Sequence, residues 1–261
     1  MLYHKTYELG PEREWVVFVH GAGGSSTIWF RQLKAFRERF NVLLLDLRGH
    51  GQSHTLQQVV KGRYSFRAVT EDIVRLLDHL QIREAHFVGM SLGSILIRHL
   101  AELCPERVRS MVLGGAILRF DIRSRVLVQL GRLGQHILPY MWLYRLFAFI
   151  MMPRKRHEES RLLFVREARK LCQQEFKRWF RLATDVNPLM RYFRERPVAI
   201  PTLYIMGEED YLFLAPVREQ VERDPHSHLA VIDGCGHVCN VEQPEHFNRQ
   251  SLAFLTKAGE G

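Results

Sequence analysis

Ser91 stands between two glycines in Gly89-Met90-Ser91-Leu92-Gly93, directly after the apolar run Phe87-Val88 and directly before a segment of helical period. A serine at the tip of a sharp strand-to-helix turn needs a strained backbone. Close packing there tolerates little but glycine at the flanking positions, here Gly89 and Gly93. The following helix would direct its partly positive N-terminus at an anion developing on whatever the hydroxyl attacks. The chemistry this points to is nucleophilic attack on a carbonyl. The alternative is a glycine-rich turn carrying a solvated serine, and the strand before and helix after argue against it.

Three further loops hold what such chemistry needs. His20-Gly21-Ala22-Gly23-Gly24-Ser25 follows the apolar run Trp15–Val19. Its glycines, Gly21 among them, let main-chain N–H groups approach a ligand, and the N–H groups of Ala22 and Leu92 are the pair suited to a tetrahedral oxyanion. His20 is expected to orient this loop rather than act as a base. Gly207-Glu208-Glu209-Asp210 follows Thr202–Met206, and Gly234-Cys235-Gly236-His237 follows Leu229–Ile232. Each puts ionisable groups just beyond the carboxyl end of a strand. His237 is the candidate base, and Glu208, Glu209 and Asp210 compete to be the acid that orients it. The chain order is serine, acid, histidine.

The elements that must position these loops alternate. Trp15–Val19, Val42–Leu45, His86–Val88, Met111–Leu113, Thr202–Met206 and Leu229–Ile232 are continuous apolar runs, as expected of strands buried on both faces of a parallel sheet. Tyr3–Leu9 alternates weakly and reads as an antiparallel edge. Helical periods fall between them at 27–40, 69–80 (Val69, Ile73, Leu76, Leu77 and Leu80 on one face) and 92–103. From 119 to 196 strands stop. Arg123–Ile137, Tyr140–Met152, Glu158–Leu171 and Gln174–Val186 read as helices, an insertion over the sheet's carboxyl edge, where open sheets bind ligands.

Charge marks the same boundary. Residues 119–196 carry 18 Lys+Arg against 7 Asp+Glu, and the remaining residues carry 19 against 21. Three accounts of the basic insertion stand side by side: a solvated helix face, attraction of anionic substrates, or contact with an acidic membrane surface. No nucleic-acid motif accompanies the charge, so nucleic acid is not an expected partner. The start of the chain lacks the apolar core of a secretory signal, and no run is long enough to span a bilayer; a cytoplasmic protein is expected. Cys235 and Cys239 bracket His237. A metal needs three or four convergent ligands, however, and no second Cys/His pair lies at suitable spacing, so no metal or cofactor is expected and the four cysteines read as free thiols. Of the thirteen histidines, His99, His136 and His157 read as helix-surface residues.

Together these residues resemble the α/β-hydrolase fold: a mostly parallel sheet flanked by helices. The resemblance covers nearly the whole chain outside the insertion. It includes Asp46-Leu47-Arg48-Gly49-His50-Gly51-Gln52-Ser53, similar to the family's D-x-R-G-x-G-x-S turn, and Glu242-Gln243-Pro244-Glu245 after His237. It implies a core of residues 1–118 and 197–261 and a helical cap of residues 119–196 between core strands 6 and 7, as in capped esterases and carbon–carbon hydrolases. It also implies that Ser91 attacks, that His237 shuttles the proton, and that Asp210, at the matching position, orients the imidazole. Ala22 and Leu92 would form the oxyanion hole. Ser94 departs from the glycine common there. Relatives with aspartate as nucleophile attack alkyl carbon, so Ser91 implies acyl chemistry.

The expected activity is hydrolysis of a small-molecule carboxylic ester through an acyl-enzyme. Lactone, thioester, amide or diketone cleavage with the same residues is the alternative, the last using the basic cap to hold a carboxylate. A ligand sensor on a hydrolase scaffold is the non-enzymatic reading. Of the cap aromatics Tyr140, Trp142, Tyr144, Phe147, Phe149, Trp179 and Phe180, most are expected to pack helix on helix and the rest to line the way to Ser91.

Overall fold

The computed structural model describes residues 1–53, 64–120, 129, 131, 139–184 and 186–259. Seven strands form one sheet: β1 (His4–Tyr7), β2 (Trp15–Val19), β3 (Asn41–Leu45), β4 (Ala85–Met90), β5 (Val108–Gly114), β6 (Thr202–Gly207) and β7 (Ser227–Ile232). Their order is β1-β3-β2-β4-β5-β6-β7. Only β1 runs antiparallel, with His4 opposite Leu45 and Tyr7 opposite Val42; the other pairings are parallel. Each expected strand is present: β2 has its expected bounds, the other parallel strands are one to four residues longer, and the edge is shortened to His4–Tyr7.

Period-two alternation sorts the strand side chains onto two faces. Val17, Val19, Leu43, Leu45, Phe87, Met111 and Leu113 pack on one side with α2 (Phe66–His79) and α3 (Leu92–Leu103). Val16, Phe18, Val42, Leu44, Val88, Val112 and Ile205 pack on the other, against Phe36 of α1 (Phe30–Arg37) and Phe247 and Leu255 of the last helix. Burying any one of these large side chains stabilises the fold by about 1.5–3 kcal/mol. Helix α2 starts where the Ser65 hydroxyl accepts the Ala68 N–H at 3.1 Å, and it buries Val69, Ile73, Leu76 and Leu77 as its period predicts.

Between β5 and β6 lie α4 (Tyr140–Met151), α5 (Glu158–Ala168), α6 (Gln173–Thr184) and α7 (Asn187–Glu195). In this chain's own count the helical stretch thus follows the fifth strand, one earlier than the numbering the resemblance brings. The helix expected over 123–137 falls, but for Gln129 and Gly131, outside the described residues, as does His136. The chain ends with α8 (Leu214–Val221), the short α9 (Cys239–Glu242) and α10 (Pro244–Gly259). Because β2, β4, β6 and β7 are parallel, the loops that follow them emerge at one sheet edge, and this brings residues 20–25, 91, 210 and 237 together.

Candidate active site

Ser91 sits at φ 53° and ψ −116° between β4 and α3. A non-glycine residue there costs about 1–3 kcal/mol and persists only where its surroundings enforce it. They do so here. The Ser91 N–H donates to Gly114 O at 2.9 Å, and Ser94 donates its N–H (2.9 Å) and its hydroxyl (2.5 Å) to Ser91 O. Ser94, the departure from the family pattern, therefore clamps the turn. The flanking glycines answer to space: a Cβ on Gly89 would stand 2.4 Å from Ile97 Cδ1, and one on Gly93 2.3 Å from Val19 O.

His237 and Asp210 are both 2% exposed. Nδ1 of His237 lies 2.8 Å from Asp210 Oδ2, and Nε2 lies 3.0 Å from Ser91 Oγ. The two loops are stitched together by Glu208 N–H to Ile232 O (2.9 Å) and Glu209 N–H to Cys235 O (2.8 Å). The three consecutive acids are sorted by direction. Glu208 accepts the Gly234 N–H at 3.0 Å, Glu209 turns to Arg154, Arg156 and His157, and only Asp210 meets the imidazole. Burial by itself would make His237 harder to protonate. The charge and hydrogen bond of Asp210, with Glu242 behind, outweigh it and hold the pKa above the ordinary 6.5. Such a chain can strip the Ser91 hydroxyl of its proton and stabilise the resulting cation.

The 20–25 loop is braced by two neutral histidines. The Leu47 N–H donates to His20 Nε2 (3.0 Å), so the ring proton sits on Nδ1 and goes to Gly21 O (2.8 Å). The Gly23 N–H donates to His50 Nε2 (2.9 Å), whose Nδ1–H reaches Arg48 O (3.1 Å). Burial lowers the pKa of both, that of His50 well below 6.5. His20 is thus the orienting residue its position predicted. Gly21 brings the loop against the serine: a Cβ on it would lie 3.2 Å from Ser91 Cβ and 3.8 Å from Leu92 N. Leu92 opens α3, where an N–H has no partner within its helix. The Tyr144 hydroxyl of α4 donates to Ala22 O at 2.7 Å, and burial pushes its pKa up, so it remains a donor.

A cavity of about 210 Å³ opens onto Ser91 and His237. Ile117, Phe120, Phe147, Met151, Leu163, Phe164, Leu171, Phe176, Trp179, Phe180, Leu212 and Phe213 make its walls apolar. Glu167 is the single Asp, Glu, Lys or Arg among the described residues lining it, and its carboxylate is occupied by Ser25 (2.7 Å) and Lys170 (2.7 and 2.8 Å). Among the described residues no lysine or arginine lines the cavity, those of 119–196 included. Four of the seven singled-out aromatics, Tyr144, Phe147, Trp179 and Phe180, do line it, whereas Trp142 and Phe149 face solvent.

Some residues escaped the pattern reading. His157 and His99 are buried, not on a helix surface: His157 bonds Glu209 at 2.9 Å and His99 bonds Thr70 at 2.9 Å. Glu242 accepts the N–H groups of Gly236 (2.6 Å) and Val238 (3.3 Å), bracketing His237 from both sides. Its fixed distance after the histidine was the available signal. His50 and Tyr144 had none beyond residence in a turn motif and in an aromatic-rich helix.

A serine on a strained strand-to-helix turn, an imidazole and carboxylate delivered from the same edge of a parallel sheet, and an apolar cavity above them define a hydrolase-class enzyme. The chain belongs to the alpha/beta hydrolase family, whose family model matches residues 16–249. It is 30% identical over 254 residues to the dihydrolipoyllysine-residue acetyltransferase component of an acetoin cleaving system from Pseudomonas putida, covering 96% of this chain but 66% of that protein. It is 26% identical over 259 residues to 3-oxoadipate enol-lactonase 2 from Acinetobacter baylyi, covering 94% and 90% of the two chains. Its fold matches the crystal structure of a hydrolase from Pseudomonas aeruginosa PA01 with a TM-score of 0.82 at 24% identity, covering 97% and 94%.

Proposed function

We propose that the protein is a serine hydrolase that cleaves an uncharged small-molecule carboxylic ester through an acyl-enzyme. Residues 1–118 and 197–261 form its catalytic core, and residues 119–196 form a cap that walls the acyl pocket. The observation that carries this reading is the unbroken chain from Asp210 through His237 to Ser91, at 2.8 and 3.0 Å. His237 Nε2 takes the hydroxyl proton as Ser91 Oγ bonds to the carbonyl carbon. The oxyanion is held by the N–H groups of Ala22 and Leu92. On collapse the ester bond breaks, and the alcohol leaves with the proton from Nε2. Water, deprotonated by the same nitrogen, then releases the acid and frees Ser91.

Lining chemistry supports the substrate class. An apolar cavity without a lysine or arginine among the described residues disfavours a carboxylate-bearing substrate, so the described part of the basic cap lends no support to diketone-acid cleavage. At about 210 Å³ it lies below the roughly 300–1,000 Å³ of drug-sized pockets, which favours a short or medium acyl group. A lactone, as an internal ester, would follow the same steps, and the Acinetobacter relative carries the name enol-lactonase.

A fluorophosphonate probe is expected to label Ser91 stoichiometrically, as read by peptide mass. Across a p-nitrophenyl ester series, kcat/KM should rise with acyl length until the cavity is filled and then fall, and an ω-carboxylate should lower it about tenfold or more by unpaired desolvation. A folded protein whose Ser91 stays unlabelled refutes the proposal.

The pH profile tests the base. Only neutral imidazole accepts the proton, and the Asp210-supported cation persists above pH 6.5. The acid limb of kcat/KM therefore has its midpoint above 6.5, with activity rising as pH rises through it. For stability the sign is opposite: the raised pKa stabilises the fold below pH 6.5, and that contribution is lost as pH climbs through the folded value. An acid limb centred below 6.5 would contradict the assignment of His237.

A further inference from the structure

Helix α4 has two apolar faces. Tyr144, Phe147 and Met151 turn inward and line the cavity. On the opposite side, at spacings of four and three residues, Trp142, Leu146 and Phe149 are 66%, 50% and 56% exposed, and Leu162 of the neighbouring α5 is 63% exposed. Few soluble helices leave a tryptophan, a phenylalanine and two leucines in water together. The helix contains no acidic residue, and its one charge, Arg145, lies on the exposed side. The Arg161 guanidinium rests 5.6 Å from the centre of the Phe149 ring. Lys155 and Arg169 follow, both exposed; Arg154 and Arg156 are also exposed but paired with Glu209, and Arg166 and Lys170 with Glu167; Glu158 and Glu159 are the exposed acids of that stretch, and Glu159 is paired with Arg31.

We propose that this outer face of α4, with the adjoining part of α5, seats the protein on an anionic phospholipid bilayer. Trp142, Leu146 and Phe149 would lie at the boundary between headgroups and acyl chains, with the surrounding arginines and lysines on the phosphates. An apolar stripe without acids, flanked by Arg145 and Arg161, has the pattern of a helix lying in the interface plane. A purely apolar protein partner would leave Arg145, Lys155, Arg161 and Arg169 without a counter-charge, and an acidic one would leave the stripe in water. No helix among the described residues is long and apolar enough to cross a membrane, so the attachment is peripheral. The seat also has a use. Its opposite side is a wall of the cavity, so an apolar ester dissolved in the bilayer would meet the pocket one helix diameter from the lipid. Docking itself does not depend on the chemistry at Ser91.

The test is sedimentation of the whole chain with vesicles of phosphatidylcholine alone and of phosphatidylcholine with roughly a third phosphatidylglycerol. Partitioning onto the anionic vesicles should be about tenfold stronger or more and should weaken as salt is raised. W142S/F149S should reduce it by about tenfold or more while fluorophosphonate labelling of Ser91 in buffer stays unchanged, which separates lost docking from lost folding. Equal partitioning onto both vesicles, or undiminished binding of the double variant, overturns the proposal. So does a concentration-dependent dimer that W142S/F149S abolishes without any vesicle binding, which would assign the face to a second copy of this chain.

Discussion

Replacing Ser91 by Ala is expected to lower kcat/KM for a short p-nitrophenyl ester by about 10⁴- to 10⁶-fold, or roughly 5–8 kcal/mol of transition-state stabilisation. The loss is large because Oγ forms the new bond, and no other nucleophile among the described residues stands beside His237 Nε2. The fold should survive. The strained conformation at φ 53° is enforced from outside the side chain, by the N–H bond to Gly114 O and by the two donors of Ser94. Circular dichroism and thermal melting should match the parent within about a kcal/mol, as for other substitutions that leave packing and buried hydrogen bonds intact. A variant that keeps a tenth or more of the turnover would require a different nucleophile, and the acyl-enzyme scheme would fall with it.

Asp210→Asn should cost about 10⁴-fold in kcat at neutral pH, from a different cause. Asparagine fills the same space, but its amide can donate to His237 Nδ1. That fixes the ring proton on Nε2, so the nitrogen facing Ser91 Oγ presents a hydrogen where it must accept one. The charge that raises the His237 pKa also disappears, so the acid limb should move down in pH. Glu209→Gln is the comparison. It weakens contacts to Arg154, Arg156 and His157 without touching the imidazole, and should change kcat by less than about tenfold. If Glu209→Gln were as costly as Asp210→Asn, the assignment of the orienting acid would be wrong.

The contrast between these two neighbours shows where pattern reading ends. Residues 208–210 are three acids in a row, equivalent by type and by position after a strand, and choosing Asp210 among them required a resemblance. A tight turn makes the distinction. The Asp210 N–H returns to Gly207 O at 3.1 Å, so consecutive side chains leave in different directions toward different partners. His157 was misread for a related reason. It ends the short basic turn Lys155–His157, which looks like a surface, yet it is fully buried and hydrogen-bonded to Glu209.

Sequence alone determined the sheet, the elbow and the loops that meet at its edge. Central parallel strands are buried on both faces and so appear as unbroken apolar runs, while Gly89 and Gly93 mark positions where no Cβ fits. Tertiary structure decided which sides of the helices between β5 and β6 face inward. Periodicity locates a buried face only when the opposite face is polar, and α4 is apolar all round, so nothing in its spacing separates Tyr144 and Phe147 at the cavity from Trp142 and Phe149 in solvent. The arginines of 119–196 gave the same ambiguity: charge can be counted along a chain, but its direction depends on how helices dock, and here none of the described ones lines the cavity.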